Sequence, residues 1–128
     1  MTSKSNNTEL GIDKNVAALA CYVLGWITGI IFLFIESNSF VRFHAWQSII
    51  VFGIITVAQL LLTILATIFG LLSIFLGGFT MVFVSIVTFI SIVVWIGTFI
   101  LWIILMVKAY QNEKFKIPYV GELAEKYS

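Results

Sequence analysis

At 128 residues the chain is long enough for one domain, and its 10% charged fraction falls well short of the roughly one quarter that soluble domains carry. A formal net charge of +1 supplies no basic face for nucleic-acid phosphates and no field for acidic substrates. The single cysteine, Cys21, excludes an intrachain disulfide and a cysteine-based zinc set.

The apolar residues, 61% of the total, are unevenly spread, because Phe43 to Val107 contains no Asp, Glu, Lys or Arg. Mean hydropathy is +1.11. A hydrocarbon core of about 30 Å takes roughly 20 apolar residues per helix, so the uncharged run alone holds two spans and a turn.

In chain order, residues 1–14, with Lys4 among Ser, Asn and Thr, read as a polar tail ending at Asp13, a capping residue for a helix from Asn15. That first helix, 15–35, is about one bilayer crossing long and ends at the polar turn Glu36-Ser37-Asn38-Ser39. It exceeds the core of a cleavable signal peptide. Ala18-Leu19-Ala20 before Cys21 only faintly resembles a lipoprotein signal, and the short apolar stretch upstream argues against lipidation.

The second helix is expected to start near Arg42 or His44 and to run over about 44–69, with Gly70 ending it and Gly77-Gly78 closing an apolar connection. The third covers 79–107. At 1.5 Å per residue it is roughly 43 Å long, so it must tilt or protrude. Four spans fit on length alone. However, 79–107 has no Pro, Gly pair or charged turn, and unpaired backbone groups in lipid cost several kcal/mol each, so three are expected. Within the tail, 109–128, Val120, Leu123, Ala124 and Tyr127 recur at helical spacing after Pro118, opposite Glu122, Glu125 and Lys126. The expected fold is thus an all-α integral membrane bundle of three transmembrane helices within 15–108, with a short amphipathic C-terminal surface helix.

Basic residues set the orientation in a multi-pass cell-membrane protein. With three spans, Lys4 and Lys14 lie on one side against Arg42, Lys108, Lys114, Lys116 and Lys126 on the other, which puts the C-terminus in the cytoplasm and the N-terminus outside. Four spans also leave the C-terminus inside.

Three groups of residues stand out. Ala17, Cys21, Gly25 and Gly29, spaced by four, form a stripe of small side chains where another backbone can approach. Thr56, Gln59, Thr63 and Thr67 on the second helix, and Ser85, Thr88, Ser91 and Thr98 on the third, form polar faces expected to meet. Hydroxyls can bond their own helix carbonyls, but the intramembrane amide of Gln59 needs a partner. Around the first turn, Glu36, Arg42, His44, Trp46 and Gln47 gather polar chemistry at one interface and form a candidate interaction cluster. One His and one acid are too few for a metal site; the simpler reading is a snorkelling Arg42, an anchoring Trp46 and a Glu36–Arg42 or Glu36–His44 contact. The sequence carries no phosphate-binding glycine loop, zinc motif or nucleophile elbow, so no cofactor, metal or catalytic residue is expected.

The stretch Gly25-Trp26-Ile27-Thr28-Gly29-Ile30-Ile31-Phe32, with Glu36 and Phe40-Val41-Arg42-Phe43-His44-Ala45-Trp46-Gln47-Ser48, resembles a family of small prokaryotic membrane proteins similar to the chloroplast import component Tic-twenty. Lys108-Ala109-Tyr110, Phe115-Lys116, Pro118 and Gly121 to Lys126 resemble that family's ending. Trp26 stands where Pro or a small residue is expected, and Asn112 where Gly is usual. The resemblance implies an all-helical membrane fold and, by analogy, a role near protein translocation. A non-enzymatic subunit is therefore expected, embedded in the lipid bilayer and assembling with itself or with other membrane proteins. The alternative is an oligomeric pore or carrier for a small neutral solute.

Overall fold

The computed structural model describes residues 8–128, so the first half of the expected polar tail, 1–7, lies outside the described residues. Its regular structure is helical, in the order α1 (Lys14–Val23), α2 (Trp26–Ile35), α3 (Ser39–Leu76), α4 (Thr80–Tyr110) and α5 (Val120–Tyr127). Among the described residues, only α3 and α4 are helices long and apolar enough to cross a membrane. One compact unit comprises the described residues up to Gly53 together with Leu101–Ser128; Ile54–Ile100 form the other.

The first correction concerns 15–35, which is two helices of 10 residues and not one helix. Gly25 adopts φ 64 and ψ −130, outside the range open to ordinary L-residues, and the chain reverses there. Thr28 staples the break. Its hydroxyl donates to the Cys21 carbonyl at 3.0 Å and accepts from the Leu24 amide at 3.2 Å, replacing partners the interrupted helix has lost. At the open end, the Glu36 carboxylate accepts from the amides of Glu9 and Leu10 at 2.9 and 3.1 Å. The residues before α1 and after α2 therefore lie side by side, and the pair is an antiparallel helical hairpin. Asp13 occupies the α1 N-cap but makes no side-chain capping bond; its carbonyl accepts from Ala17.

The expected helix from 44 to 69 is also corrected at both ends. It begins at Ser39, because Asn38 Oδ1 accepts from the amides of Phe40 and Val41 at 3.0 and 3.4 Å. It runs through Gly70 to Leu76, and the positive φ that ends it belongs to Gly77. A glycine inside a helix costs about 1 kcal/mol, less than unpaired backbone would in hydrocarbon. In the unit Ile54–Ile100, α3 and α4 meet through stacked Phe69 and Phe83 rings, 5.3 Å apart, and through Gln59 and Ser91.

The end of α4 is a Schellman motif. The Asn112 amide donates to the Ala109 carbonyl at 3.1 Å and the Glu113 amide to the Lys108 carbonyl at 3.0 Å, while Asn112 takes φ 62. Asn serves where Gly is usual because its short polar side chain tolerates the left-handed region. The expected helix after Pro118 is present as α5, with Gly121 and Ala124 buried. At Gly121 a Cβ would fall 2.7 Å from Lys116 Cα, so only glycine fits.

Asn112→Gly should leave thermal stability unchanged or slightly raised, whereas Asn112→Val should cost about 1–2 kcal/mol by forcing a β-branched residue into the left-handed region. Melting of both purified variants in one detergent checks this; equal melting temperatures would refute the motif.

Candidate functional site: a buried polar network behind the helical hairpin

The small-residue stripe packs against the start of α3. Ala17 and Cys21 form a core with Val41 and Ala45, and the Cys21 thiol points to the Ala17 and Val41 carbonyls at 3.3 and 3.8 Å. Gly29 is the tightest point, because a Cβ there would overlap Ser48 Oγ and lie 2.9 Å from the Ala45 carbonyl oxygen. Gly25, at the hairpin tip, faces Phe52, with its would-be Cβ in ordinary contact at 3.5 Å. The stripe is thus a seam within the chain.

The cluster around the first turn is drawn inward. Glu36 is only 3% exposed, and its carboxylate is used by the two amides before α1. Arg42 meets Glu36 through the main chain: its guanidinium donates to the carbonyls of Leu33, at 3.0 Å, and Glu36, at 3.4 Å. It therefore caps the C-terminus of α2, where a cation complements the helix dipole. The expected side-chain contact between Glu36 and Arg42 or His44 is replaced by these backbone contacts.

His44 and Gln47 are 1% and 0% exposed and share one partner that local reading of the sequence did not single out, Tyr22. Gln47 Nε2 donates to the Tyr22 oxygen at 3.1 Å, leaving the phenol proton for His44 Nδ1 at 2.8 Å. That assignment puts the imidazole proton on Nε2, which is buried without a hydrogen-bond partner. The rings of Phe40, Phe43 and Tyr22 pack edge-on around the imidazole. Gln47 also donates to the Phe115 carbonyl at 2.8 Å and accepts from the Ile117 amide at 3.3 Å, holding the C-terminal tail like a strand partner. Trp46 contributes a ring contact with Tyr127, 5.5 Å between centroids, and its buried Nε1 has no hydrogen-bond partner.

Trp102 is a second residue missed from sequence; its indole donates to the Tyr22 carbonyl at 2.6 Å. Thr28, Tyr22 and Trp102 belong to apolar runs, and only the bend at Gly25 gives them their partners.

In the unit Ile54–Ile100, Gln59 finds the partner it needs. Its Nε2 donates to the Ser91 carbonyl at 3.1 Å and its Oε1 accepts from the Ser91 hydroxyl at 2.7 Å. Thr63, Thr67, Ser85 and Thr98 donate to carbonyls four residues back in their own helices. Leu62, Thr63, Thr67, Thr88 and Ser91 line a groove of about 340 Å³.

In the tail, Lys108 pairs with Glu113 at 2.9 Å and Lys116 with Glu125. The hydrogen bond from Lys116 holds the Glu125 carboxyl below the usual carboxylate range. Among the described residues, no three His, Cys, Asp or Glu side chains gather as a metal set.

Two measurements test these contacts. Gly29→Ala should lower stability by about 1–3 kcal/mol through overpacking, while Gly97→Ala, with open space around it, should be silent; equal melting temperatures would place the stripe against lipid. Gln47→Leu should release the tail, accelerating tryptic cleavage at Lys114 and Lys116 with helix content unchanged. Unaltered cleavage would show that the amide does not hold the tail.

Comparison with known proteins places these features in a family. Residues 12–124 match the magnetosome magnetite crystal formation protein family. A UPF0132 membrane protein of Methanocaldococcus jannaschii is 41% identical over 122 residues, covering 94% of both chains. A second from that organism is 39% identical, over 92% of this chain and 72% of the relative, and one from Archaeoglobus fulgidus is 38% identical, over 89% and 94%. No solved structure matches. The resemblance to relatives of Tic-twenty is thereby corrected: the motifs at 25–48 and 108–124 fall inside the matched region of a different family, and the translocation role drawn from it lapses. The chain is a helical membrane protein, and it belongs to the magnetosome magnetite crystal formation protein family (MamF/MmsF).

Proposed function

We propose that the chain is a non-enzymatic, multi-pass membrane subunit that works by assembling with further copies of itself, its C-terminus on the cytoplasmic face. The observation carrying this reading is the groove lined by Thr63, Thr67, Thr88 and Ser91 on an otherwise apolar surface. Thr63 and Thr67 already donate within α3, at 2.8 Å each, so this face costs little to desolvate, and its small side chains let another helix come close. The outward side chains on either side, including Leu61, Ile64 and Phe89, are suited to lipid.

Several of the polar groups that an active site would present are engaged internally. Glu36 holds two backbone amides, Gln47 holds the tail, and Glu113 and Glu125 are paired with lysines. These contacts single out no residue for magnetite crystal formation, after which the family is named. The cytoplasmic C-terminus follows from Lys108, Lys114, Lys116 and Lys126 beside the end of α4.

Ala66→Cys, made together with Cys21→Ala, should give an oxidised dimer in native membranes, while Phe89→Cys, on the outward face, should not. Size-exclusion with light scattering should report more than one copy for the parent chain. A monomer without the Ala66 cross-link, with solute flux in liposomes that Gln59→Leu abolishes, would replace assembly by a carrier.

A further inference from the structure

We propose that α1 and α2 form a re-entrant hairpin: it enters the hydrocarbon from the face of the C-terminal tail, turns at Leu24-Gly25 and returns, so that the chain crosses the bilayer only twice. This deepens the reading of a multi-pass protein with a cytoplasmic C-terminus and rests on it. The proposed contact of the hairpin's outward face, Leu24, Ile27, Ile31 and Phe34, is with lipid acyl chains.

Length is the first argument. Each helix has 10 residues, or about 15 Å, half of a hydrocarbon core of about 30 Å. Neither crosses, yet each fits one leaflet. Charge is the second. The open end carries Glu9, Asp13, Lys14 and Glu36, whereas Asn15 to Ile35 has no charge at all. The outward face is fully apolar, with Leu24 62% and Phe34 85% exposed.

The third argument is the backbone at the tip, and it decides between a turn in lipid and a turn in water. Breaking a helix frees carbonyls and amides that water would satisfy at no cost in design, but that hydrocarbon leaves orphaned. Here they find protein partners. The Cys21 carbonyl receives the Thr28 hydroxyl at 3.0 Å, the Tyr22 carbonyl receives the Gly25 amide at 3.0 Å and the Trp102 indole at 2.6 Å, and the Leu24 amide reaches Thr28 Oγ1 at 3.2 Å. Such provision is what a non-helical break at membrane depth requires.

The fourth is placement of the open end. Asn15 Nδ2 donates to the Tyr110 carbonyl at 3.0 Å, so the start of α1 lies beside the end of α4. Gln47 and Lys114, the latter over the Phe43 ring at 5.4 Å, bring the tail to the start of α3. Every Lys and Arg from Lys14 onward then belongs to one face, and the turn at Gly77-Gly78 carries none. That is a far stronger positive-inside asymmetry than a three-span chain would show.

The test uses the full chain in right-side-out and inverted membrane vesicles, with an impermeant maleimide on Thr8→Cys, Ser37→Cys, Ser128→Cys and Gly78→Cys. Cys21 is buried and should stay unlabelled in the parent; Cys21→Ala serves as a second background. The first three positions should label from the cytoplasmic face and Gly78→Cys from the other. Labelling of Thr8→Cys and Ser37→Cys from opposite faces would overturn the hairpin in favour of a single span over 14–35. Gly78→Cys labelling from the same face as Ser128→Cys would instead overturn the multi-pass reading itself. Depth is read from a bimane probe on Leu24→Cys in phosphatidylcholine vesicles. Brominated acyl chains should quench it severalfold more than aqueous iodide, and the reverse order would show that the tip lies in water.

Discussion

A peptide group in hydrocarbon has no water to bond, so every amide and carbonyl at membrane depth must be satisfied by the protein. The rest of this structure depends on that constraint. It holds α3 helical through Gly53 and Gly70, where helix propensity alone would favour a break. It also explains the hydroxyls of Thr63, Thr67 and Thr98, which point back at their own helices and add no exposed donor to the apolar surface. Where the chain departs from the helix, at Leu24-Gly25, a threonine hydroxyl and a tryptophan indole stand in for the lost partners.

The same economy governs polar side chains. Glu36, His44 and Gln47 sit among apolar neighbours, and burying such groups is costly unless they are bonded. Each is used to tie remote parts of one unit together: Glu36 joins the ends of the hairpin, and Gln47 links Tyr22 to the tail at Phe115 and Ile117. The cluster is therefore internal fastening. A network of this kind specifies one arrangement of hairpin, α3 and tail, because an alternative packing would leave several buried polar atoms unpaired at once.

Charge is divided as sharply as hydrogen bonding. Ile54–Ile100 contains no charged residue, whereas all of them lie in the remaining parts of the chain. The paired lysines and glutamates of the tail, Lys108 with Glu113 and Lys116 with Glu125, are exposed and contribute little to stability, about 0–1 kcal/mol each at a surface. Their weight is in placing the tail on the polar side of the interface.

The sequence by itself determined the class, since an uncharged run from Phe43 to Val107 has no folded form in water that could cover it. It also determined that Gln59 needs a partner and that a helix follows Pro118, because each is legible within one element; the small residues from Ala17 to Gly29 were legible too, but they fall on two helices, and the turn at Gly25 decided how they pack. Glu36, Arg42, His44 and Gln47 were recognisable together as polar neighbours at one turn, but not their roles. Only the tertiary structure decided those, because their partners, Glu9, Leu10, Leu33, Tyr22 and Phe115, are set by the chain reversal at Gly25. That reversal is invisible to composition: a glycine within an apolar run is compatible with a continuous helix, and what turns it into a break is the positive φ at Gly25, stabilised by Thr28 and by a tryptophan far along the chain.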